Sequence, residues 1–265
     1  MKRKPTNLKA LAGRPKKIAK APERALLELK QLHGASGLKL STEDAGMGHA
    51  QIAEWARIAK GIVPVWVKIG GPNARNDIKE MIPLEVDGLI APMVESAYGL
   101  ENFLSSLHDF TTPLQFKRLK KSINIESRVA LTQLDEILEY CGVDGIDEVT
   151  IGCSDLSSSM GVSRNDPDFR KLVQKTVKRI RDCGVPVSIG GGICPANIDE
   201  ILEEAQPLRF NTRLLAFPCD GRPSFRAAVE SALQFEIMML AYDLKQGYIS
   251  LDEERYRVSE IMKRL

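Results

Sequence analysis

Two carboxylates at the ends of neighbouring predicted strands could hold a divalent cation. Glu126 follows the apolar run INI, and Asp155 follows TIGCS one strand-helix repeat later in the chain. Two adjacent carboxylates repel each other unless a positive charge lies between them. Mg²⁺ or Mn²⁺ would supply that charge through oxygen ligands, whereas Lys68 or Arg213 would supply it as an ion pair. The spacing alone leaves both alternatives open.

Polar side chains recur on one face of other predicted strands, near the carboxyl ends. They are Lys39, Ser41 and Glu43 on the first strand with Asp44 just beyond it, Lys68 on the second, Asn124 on the same face as Glu126, and Asn211 with Arg213 on the last. Side chains alternate between the two faces of a strand, and the reactive residues of a parallel barrel lie at the carboxyl ends of its strands. We therefore expect these groups to meet in one polar cavity.

Two short segments could bind an anion through backbone N–H groups. Residues 155–161 (DLSSSMG) follow a predicted strand, and free N–H groups at such a position suit a carboxylate. The same Asp155 and serines would equally serve as helix caps. Residues 190–192 (GGG) precede a predicted helix and indicate either an anion cradle or a tight turn.

The elements that must position these groups alternate between strand and helix. Short apolar, β-branched runs occupy residues 37–43, 62–69, 87–93, 122–126, 145–152, 186–190 and 208–217. Their spacing leaves room for one helix after each strand. We predict an α/β fold, a (β/α)8 TIM barrel with additional C-terminal helices, whose eighth strand comes from residues 113–119 or from the N-terminal arm. The predicted divisions are a basic arm at 1–20, a catalytic barrel at 21–222 and terminal helices at 223–265.

The terminal helices are predicted at residues 223–246 and 251–265. Gly247 is a plausible helix stop, and Ser250 with Glu253 forms a capping-box pattern. The run 232–242 (ALQFEIMMLAY) is apolar nearly all round, so it packs either on the barrel and a neighbouring subunit of a homo-oligomer, or on the barrel alone.

Composition excludes several classes of protein. The 265 residues include 37 lysines and arginines against 35 acidic residues, a balance that argues against a dedicated nucleic-acid binder. Residues 1–20 carry eight basic residues and no acid, which suits a solvated arm. Five cysteines without a C-x-x-C pair favour a reducing, cytoplasmic location over a disulfide framework. No apolar run reaches the length of a membrane span.

Three motifs together resemble the HpcH/HpaI aldolase and citrate lyase β-subunit family. They are residues 86–100 (VDGLIAPMVESAYGL), 123–127 (INIES) and 143–161 (VDGIDEVTIGCSDLSSSMG). The resemblance implies a pyruvate/phosphoenolpyruvate-type TIM barrel of the class II, metal-dependent kind, in which Glu126 and Asp155 hold Mg²⁺ or Mn²⁺. It also implies that the metal chelates a pyruvate-like substrate, whose carboxylate is held by the amides around Ser154 and Asp155.

The sequence departs from this family's usual pattern at four places. Lys68 stands where aldolases of the family usually carry an arginine, and a lysine keeps the charge but loses the planar fork. Glu43-Asp44 replaces a Glu-His pair, which removes a histidine expected to assist proton transfer. Asn124 replaces a glutamine, and Gly152-Cys153 replaces Gly-Pro. These departures indicate a retained metal site in an altered pocket.

The leading hypothesis is a metal-dependent carbon–carbon lyase or aldolase acting on a 2-oxo acid or related carboxylate. It assigns the metal to Glu126 and Asp155. The assigned catalytic residues are Lys68 and Arg213 for charge stabilisation and Glu43, Asp44 or His49 for proton transfer; the assigned substrate-binding residues are Lys39, Asn124, Ser154 and Glu95. Alternatives are a Schiff-base aldolase using Lys39 or Lys68, a non-catalytic barrel that binds a carboxylate or sugar acid, and nucleic-acid attachment through the arm, which we rank last.

Overall fold

Eight strands close into one barrel in the order in which they occur along the chain. The computed structural model describes residues 21–265, apart from the side chains of residues 142–144, so the predicted basic arm at 1–20 lies outside the described residues. The strands are β1 (Gly37–Ser41), β2 (Val65–Lys68), β3 (Gly88–Ala91), β4 (Lys120–Ile125), β5 (Glu148–Gly152), β6 (Val187–Gly190), β7 (Arg209–Asn211) and β8 (Leu215–Pro218). The sheet closes between β8 and β1, which confirms the predicted barrel.

Helices surround the barrel and cover its outer surface. They are α1 (Pro22–His33), α2 (His49–Ala59), α3 (Arg75–Met81), α4 (Ala97–Phe110), α5 (Pro113–Arg118), α6 (Arg128–Thr132), α7 (Leu134–Asp144), α8 (Cys153–Met160), α9 (Pro167–Asp182), α10 (Ile198–Ala205), α11 (Arg226–Gln246) and α12 (Leu251–Met262). Within the described part of the chain, no helix combines the length and the apolar character needed to cross a membrane.

The eighth strand does not come from either predicted source. Residues 113–118 form α5, which begins after a capping box made by Thr112 and Gln115. The single strand predicted over residues 208–217 instead divides into β7 and β8, because Thr212 turns the chain back on itself. The Thr212 N–H donates to the Leu215 carbonyl at 2.8 Å, and the Leu215 N–H donates to Thr212 Oγ1 at 3.0 Å.

This turn gives β8 the opposite direction to both of its neighbours. β8 pairs antiparallel with β7 and with β1, whereas the pairs from β1 through β7 are parallel. A parallel connection needs a crossover of a dozen or more residues, while antiparallel strands can be joined by a short turn. Residues 212–214 are therefore sufficient to join β7 and β8.

The outer faces of the strands form the apolar core with the helices, and the inner faces carry polar groups. Val67, Leu89, Ile123 and Ile151 are fully buried and belong to one continuous apolar cluster. Side chains on the inner face include Glu148, Ser188 and Asn211, and they form a hydrogen-bonded network. Ser188 Oγ donates to Glu148 Oε1 at 2.8 Å and accepts from Asn211 Nδ2 at 3.0 Å. This pairing satisfies groups that would otherwise be costly to bury.

The two terminal helices fold back onto the barrel. α11 ends at Gly247, which adopts the left-handed conformation (φ 76°), and α12 begins at Ser250, which accepts the Glu253 N–H at 3.1 Å. α11 packs against α1 and α12, and its buried Asp243 accepts hydrogen bonds from α2. The apolar part of α11 is thus largely covered within the chain, and contact with a second subunit stays a prediction.

Candidate active site

A polar cavity of 410 Å³ opens at the carboxyl ends of the parallel strands. The charged side chains on its wall are Lys39, Glu43, Asp44, Lys68, Glu126, Asp155, Arg213 and Arg264, and Ser41, Asn124, Thr150, Ser154, Asn211 and residues 190–193 contribute further parts of the lining. Nearly all the predicted polar groups therefore meet in one place.

Glu126 lies directly after β4 and is held by two hydrogen bonds. Its Oε1 accepts the Met93 N–H at 2.9 Å, and its Oε2 accepts from Asn124 Nδ2 at 3.2 Å. Met93 has a positive φ of 52°, an uncommon conformation for a residue other than glycine. Burial raises the pKa of Glu126, because removal from water disfavours the charged form.

Gly152 provides the space that the Glu126 carboxylate occupies. A Cβ atom added to Gly152 would lie 2.5 Å from Glu126 Oε2 and 2.7 Å from Glu126 Cβ, which is closer than side-chain atoms pack. A glycine at the end of β5 therefore lets the carboxylate of β4 lie against the neighbouring strand.

Asp155 lies in the first turn of α8, close enough to Glu126 for the two charges to interact. Its charge raises the pKa of Glu126 beyond the effect of burial, so the two carboxylates interact. Among the described residues, no lysine, arginine or histidine forms an ion pair with either of them within 4.0 Å. Two carboxylates without a bridging base match the oxygen donors that Mg²⁺ and Mn²⁺ prefer.

The described residues do not group three His, Cys, Asp or Glu side chains as a self-sufficient metal site. A cation here would thus rely on two protein carboxylates, with water and substrate oxygens completing its coordination. Mg²⁺ is commonly bound in that way, since it keeps several water ligands. The donor set therefore fits a divalent ion of this kind.

Lys68 is bound by the acidic pair that follows β1. Its Nζ lies 2.6 Å from Glu43 Oε2 and 3.6 Å from Asp44 Oδ1. Burial lowers the pKa of Lys68, but the charges of Asp44 and Glu43 outweigh it and leave the pKa above its ordinary value. Lys68 is therefore a fixed positive charge at the cavity wall.

Arg213 approaches the same acidic pair from the β7–β8 turn. Its Nη2 donates to the Asp44 carbonyl at 2.8 Å, and its Nε lies 3.8 Å from Asp44 Oδ2. Burial acts to raise the pKa of Asp44, but Lys68, a hydrogen bond from Ser41 and Arg213 together lower it. Asp44 therefore stays ionised between two cations.

Lys39 lies deeper in the barrel, on the inner face of β1. Burial and then the charge of Lys68 lower its pKa to about 8. The depressed lysine pKa that a Schiff-base mechanism requires is thus found at Lys39, while Lys68 shows the opposite shift.

The amino end of α8 lies beside the glycine loop that follows β6. A Cβ on Gly191, which has a φ of 92°, would lie 2.6 Å from the Ser154 nitrogen and 3.2 Å from the Cys153 nitrogen. Gly152 provides no side-chain cap for this helix. The first N–H groups of α8 are consequently available to an anion at the cavity wall.

Two residues assigned from the sequence do not line the cavity. Glu95 is exposed, and its carboxylate accepts the Ser127 hydroxyl at 2.5 Å. His49 is the exposed first residue of α2. Both follow a strand closely in sequence, but neither belongs to the cavity lining.

Arg264 is a cavity residue that the sequence reasoning missed. It follows α12, and its Nη2 lies 3.3 Å from Oε2 of Glu236 on α11. Local sequence pattern carries no signal for this position, because it depends on how two terminal helices dock on the barrel.

Curated proteins with similar sequences include aldolases. A 2-keto-3-deoxy-L-rhamnonate aldolase of Escherichia coli O17:K52:H18 (strain UMN026 / ExPEC) is 36% identical over 144 residues, covering 42% of this chain and 50% of the relative. The enzyme of the same name from Klebsiella pneumoniae subsp. pneumoniae is 39% identical over 87 residues, covering 32% of this chain and 28% of the relative. The chain thus spans about half the length, or less, of these curated relatives.

Solved structures with the same fold include an HpcH/HpaI aldolase/citrate lyase family protein and an HpcH/HpaI aldolase. The one from Burkholderia cenocepacia J2315 has a TM-score of 0.61 at 16% identity, covering 72% of this chain and 83% of that one. The one from Desulfitobacterium hafniense DCB-2 has a TM-score of 0.58 at 20% identity, covering 72% and 82%. The family model for HpcH/HpaI aldolase/citrate lyase matches residues 59–203, more than half of the sequence. The chain therefore belongs to the HpcH/HpaI aldolase/citrate lyase family.

Proposed function

We propose that this protein is a divalent-metal-dependent aldolase that cleaves or forms a carbon–carbon bond beside a pyruvate-like 2-oxo acid. The observation that carries the proposal is the buried Glu126 carboxylate, which lies close enough to Asp155 for their charges to interact. Among the described residues, neither carboxylate has an ion pair within 4.0 Å, and Lys68 acts on Glu126 only from a longer distance. Membership of the family and the names of the aldolase relatives support it.

Glu126 and Asp155 would hold Mg²⁺ or Mn²⁺. A bound divalent ion acts as a Lewis acid that polarises a carbonyl oxygen. The chain's own contribution begins with substrate orientation. The backbone N–H groups around Ser154 and Asp155, at the amino end of α8, would bind the 2-oxo acid's carboxylate. Asn124 orients Glu126 by donating to its Oε2.

Lys68 would stabilise negative charge that develops on the keto oxygen. Its ammonium group lines the cavity and keeps its proton because of Glu43 and Asp44. A fixed positive charge in a site shielded from water stabilises developing negative charge strongly. Glu43 and Asp44 line the same wall, where one of them would accept the proton of the substrate hydroxyl during bond cleavage. Arg213 would fix Asp44 in place for that step.

The proposal also includes the substrate class, the metal, the cellular location and the oligomeric state. The substrate is a small 2-oxo acid or related carboxylate, the metal is Mg²⁺ or Mn²⁺, and the enzyme acts in the cytoplasm as a homo-oligomer. All five cysteines lie within the described residues and are free, which fits a reducing compartment. The division into an arm, a barrel and terminal helices is proposed on the same sequence boundaries.

Release of pyruvate from 4-hydroxy-2-oxo acids tests the proposal. We expect turnover that a chelator abolishes and Mn²⁺ restores, and we expect Glu126→Gln and Asp155→Asn to lower kcat/KM at least about a hundredfold, since each removes a charged donor. Glu95→Gln is the matched control, because it neutralises an exposed carboxylate outside the cavity. Turnover that persists unchanged in the presence of the chelator would contradict the proposal.

A Schiff-base aldolase is a second candidate, favoured by the pKa of Lys39 of about 8. In that reaction the neutral ε-amine attacks the ketone carbon and expels water, and borohydride then reduces the imine. Treatment with pyruvate and borohydride would increase the mass by pyruvic acid less one oxygen in the wild type and leave Lys39→Met unchanged. Tight binding of 2-oxo acids without any turnover would instead favour a non-catalytic barrel.

A further inference from the structure

A second cavity opens at the opposite end of the barrel, where the parallel strands begin. Its volume is 590 Å³, and its lining includes Ser36, Asp87 and Lys120 beside the starts of β1, β3 and β4. The proposed catalytic groups lie at the other ends of these strands, so neither the 2-oxo acid nor its metal accounts for this amino-end cavity. A volume of this size is ordinary for a small-molecule site.

Trp66 lies on the inner face of β2, and glycines on the two neighbouring strands make room for its ring. A Cβ atom on Gly88 of β3 would lie 2.6 Å from Trp66 Cε3, and one on Gly37 of β1 would lie 3.5 Å from Trp66 Cδ1. The indole is 9% exposed and lines the amino-end cavity. Its N–H has no hydrogen-bond partner among the described residues, although a buried indole N–H usually has one. Trp66 therefore offers an unused donor.

Arg209 lies beside Trp66 at the start of β7 and lines the same cavity. Its Nη1 lies 3.1 Å from Glu148 Oε2, and its guanidinium carbon lies 5.9 Å from the centre of the Trp66 ring. These two contacts hold the guanidinium in place. Its Nε is buried without a hydrogen-bond partner among the described residues. Because an unmet buried donor is costly, an acceptor bound beside Arg209 would stabilise this arrangement.

Arg118, the last residue of α5, adds a guanidinium that no acidic group neutralises. It lines the amino-end cavity, and within the described part of the chain it forms neither an ion pair nor a hydrogen bond. A guanidinium presents five N–H donors in a planar fork that matches the oxygens of a carboxylate or a phosphate. Arg118 can therefore bind an oxyanion without breaking an existing contact.

The rest of the lining favours a ligand that joins an anionic group to an apolar body. The charged residues are three basic against two acidic, a formal charge of +1, and they are Arg118, Lys120, Arg209, Glu85 and Asp87. The apolar part of the lining consists of Pro64, Ile82, Val86 and Leu119 beside the Trp66 ring. Small-molecule sites combine such apolar surface with a few polar groups that orient the ligand.

We propose that the amino-end cavity is a second ligand site, which binds a small planar molecule carrying an oxyanion, either a carboxylate or a phosphate ester. Arg118 and Arg209 bind the oxyanion, Trp66 donates to it through its indole N–H, and the apolar lining covers the ring. The ligand is not a substrate of the proposed aldolase, because the cavity lies at the opposite end of the barrel from Glu126 and Asp155. The site does not depend on the proposed function.

Calorimetry with three probes of similar shape tests the charge requirement. The probes are benzoate, phenyl phosphate and benzamide, which is the neutral counterpart of benzoate. We expect the tighter-binding acid to exceed benzamide about tenfold or more in affinity, because hydrogen bonds to charged groups contribute that much. The tighter-binding acid identifies the oxyanion as a carboxylate or a phosphate. If neither acid binds more tightly than benzamide, the proposal is overturned.

Substitution of Arg118 tests the location on α5. We expect Arg118→Gln to lower the affinity for the tighter-binding acid about tenfold and to leave benzamide binding unchanged. Lys117→Gln is the matched control, since it removes one positive charge from an exposed neighbour on the same helix but outside the cavity lining. Unchanged affinity for the acid in Arg118→Gln, or an equal loss in Lys117→Gln, overturns the site.

Tryptophan fluorescence tests the other wall of the cavity. The chain has two tryptophans, and Trp55 is fully buried in α2, so binding of the acid should change the emission of Trp66. Trp66→Phe keeps a ring between the two glycines, and we expect it to remove this change and to weaken binding about threefold. Displacement of the acid by saturating pyruvate with Mg²⁺ would place the probe in the carboxyl-end cavity and overturn the proposal.

Discussion

At the scale of single residues, the cavity depends on two glycines, Gly152 and Gly191, at which any side chain would clash with a neighbouring group. The Glu126 carboxylate lies against Gly152, and the glycine loop after β6 lies against the amino end of α8. The position of the Glu126 carboxylate therefore depends on the missing side chain at Gly152 as much as on the hydrogen bonds that Glu126 accepts.

Gly152→Ala should damage the proposed metal site more than the fold. The new methyl group would lie 2.5 Å from Glu126 Oε2, so the carboxylate must move. We expect Mn²⁺ affinity, measured by electron paramagnetic resonance, to fall about tenfold or more, with a loss of about 1–3 kcal/mol in the free energy of unfolding. Gly190→Ala is the control, because its Cβ would meet no atom closer than 3.4 Å. Unchanged Mn²⁺ affinity in Gly152→Ala would show that the space at Gly152 is not needed for metal binding.

Lys39→Met should stabilise the protein at neutral pH. Burial lowers the pKa of Lys39 from 10.5 to about 8 in the folded state, so the unfolded chain binds the proton more tightly. The resulting cost is fully present below pH 8 and disappears as the pH rises to 10.5. Denaturant unfolding should therefore show a gain of about 3 kcal/mol at pH 7 that vanishes by about pH 10.5.

Lys68→Met provides the opposite case. The pKa of Lys68 is raised in the folded state, so its charge contributes stability that is fully present at neutral pH and is lost as the pH rises from the ordinary lysine pKa through the folded pKa. We expect this variant to be less stable than the wild type at pH 7. If Lys39→Met also lowers the free energy of unfolding at pH 7, the prediction that the buried charge of Lys39 destabilises the folded state is wrong.

At the scale of elements, one buried carboxylate connects α2 to α11. Asp243 Oδ1 accepts Trp55 Nε1–H at 2.7 Å, and Asp243 Oδ2 accepts from Gln51 Nε2 at 2.8 Å. The ring of Trp55 also contacts Phe235 and Tyr242 edge to face. This set of contacts holds the long terminal helix on the barrel.

Asp243→Asn should loosen α11. An asparagine offers one acceptor oxygen and turns an N–H donor toward a second donor, so either Trp55 or Gln51 loses its partner. We expect the free energy of unfolding to fall by about 1–3 kcal/mol, with altered tryptophan fluorescence. Glu230→Gln, an exposed change on the same helix, should leave both quantities unchanged; equal losses in the two variants would contradict the role of Asp243.

At the scale of the whole molecule, the sequence indicated most of the barrel and most of the cavity wall. Alternation along β1 and β4 places Lys39, Asn124 and Glu126 on the inner face, because strand periodicity is a local property. Position in a loop is not a local property: Glu95 and His49 follow strands closely in sequence but lie outside the cavity.

 The Glu95 carboxylate accepts a hydrogen bond from the Ser127 hydroxyl, a contact between two loops that strand periodicity does not encode.

Two further features depended on long-range contacts. The sequence of residues 208–217 predicts one continuous strand. The hydrogen bonds of Thr212 divide this stretch into β7 and β8. Arg264 reaches the cavity only because α12 docks beside α11. Sequence pattern predicts which residues share a face of an element, whereas the packing of one element on another decides which faces meet.

Because β8 runs in the opposite direction to its neighbours, the positions to randomise in directed evolution of this barrel differ from those of an all-parallel barrel. In a barrel whose strands all point one way, a saturation library built on the last residue of each strand samples the reactive rim. Here Pro218 ends β8 at the opposite rim, and the 212–214 turn takes its place. A library that randomised Pro218 would vary residues far from the polar cavity, while a library centred on Arg213 would vary residues that line it.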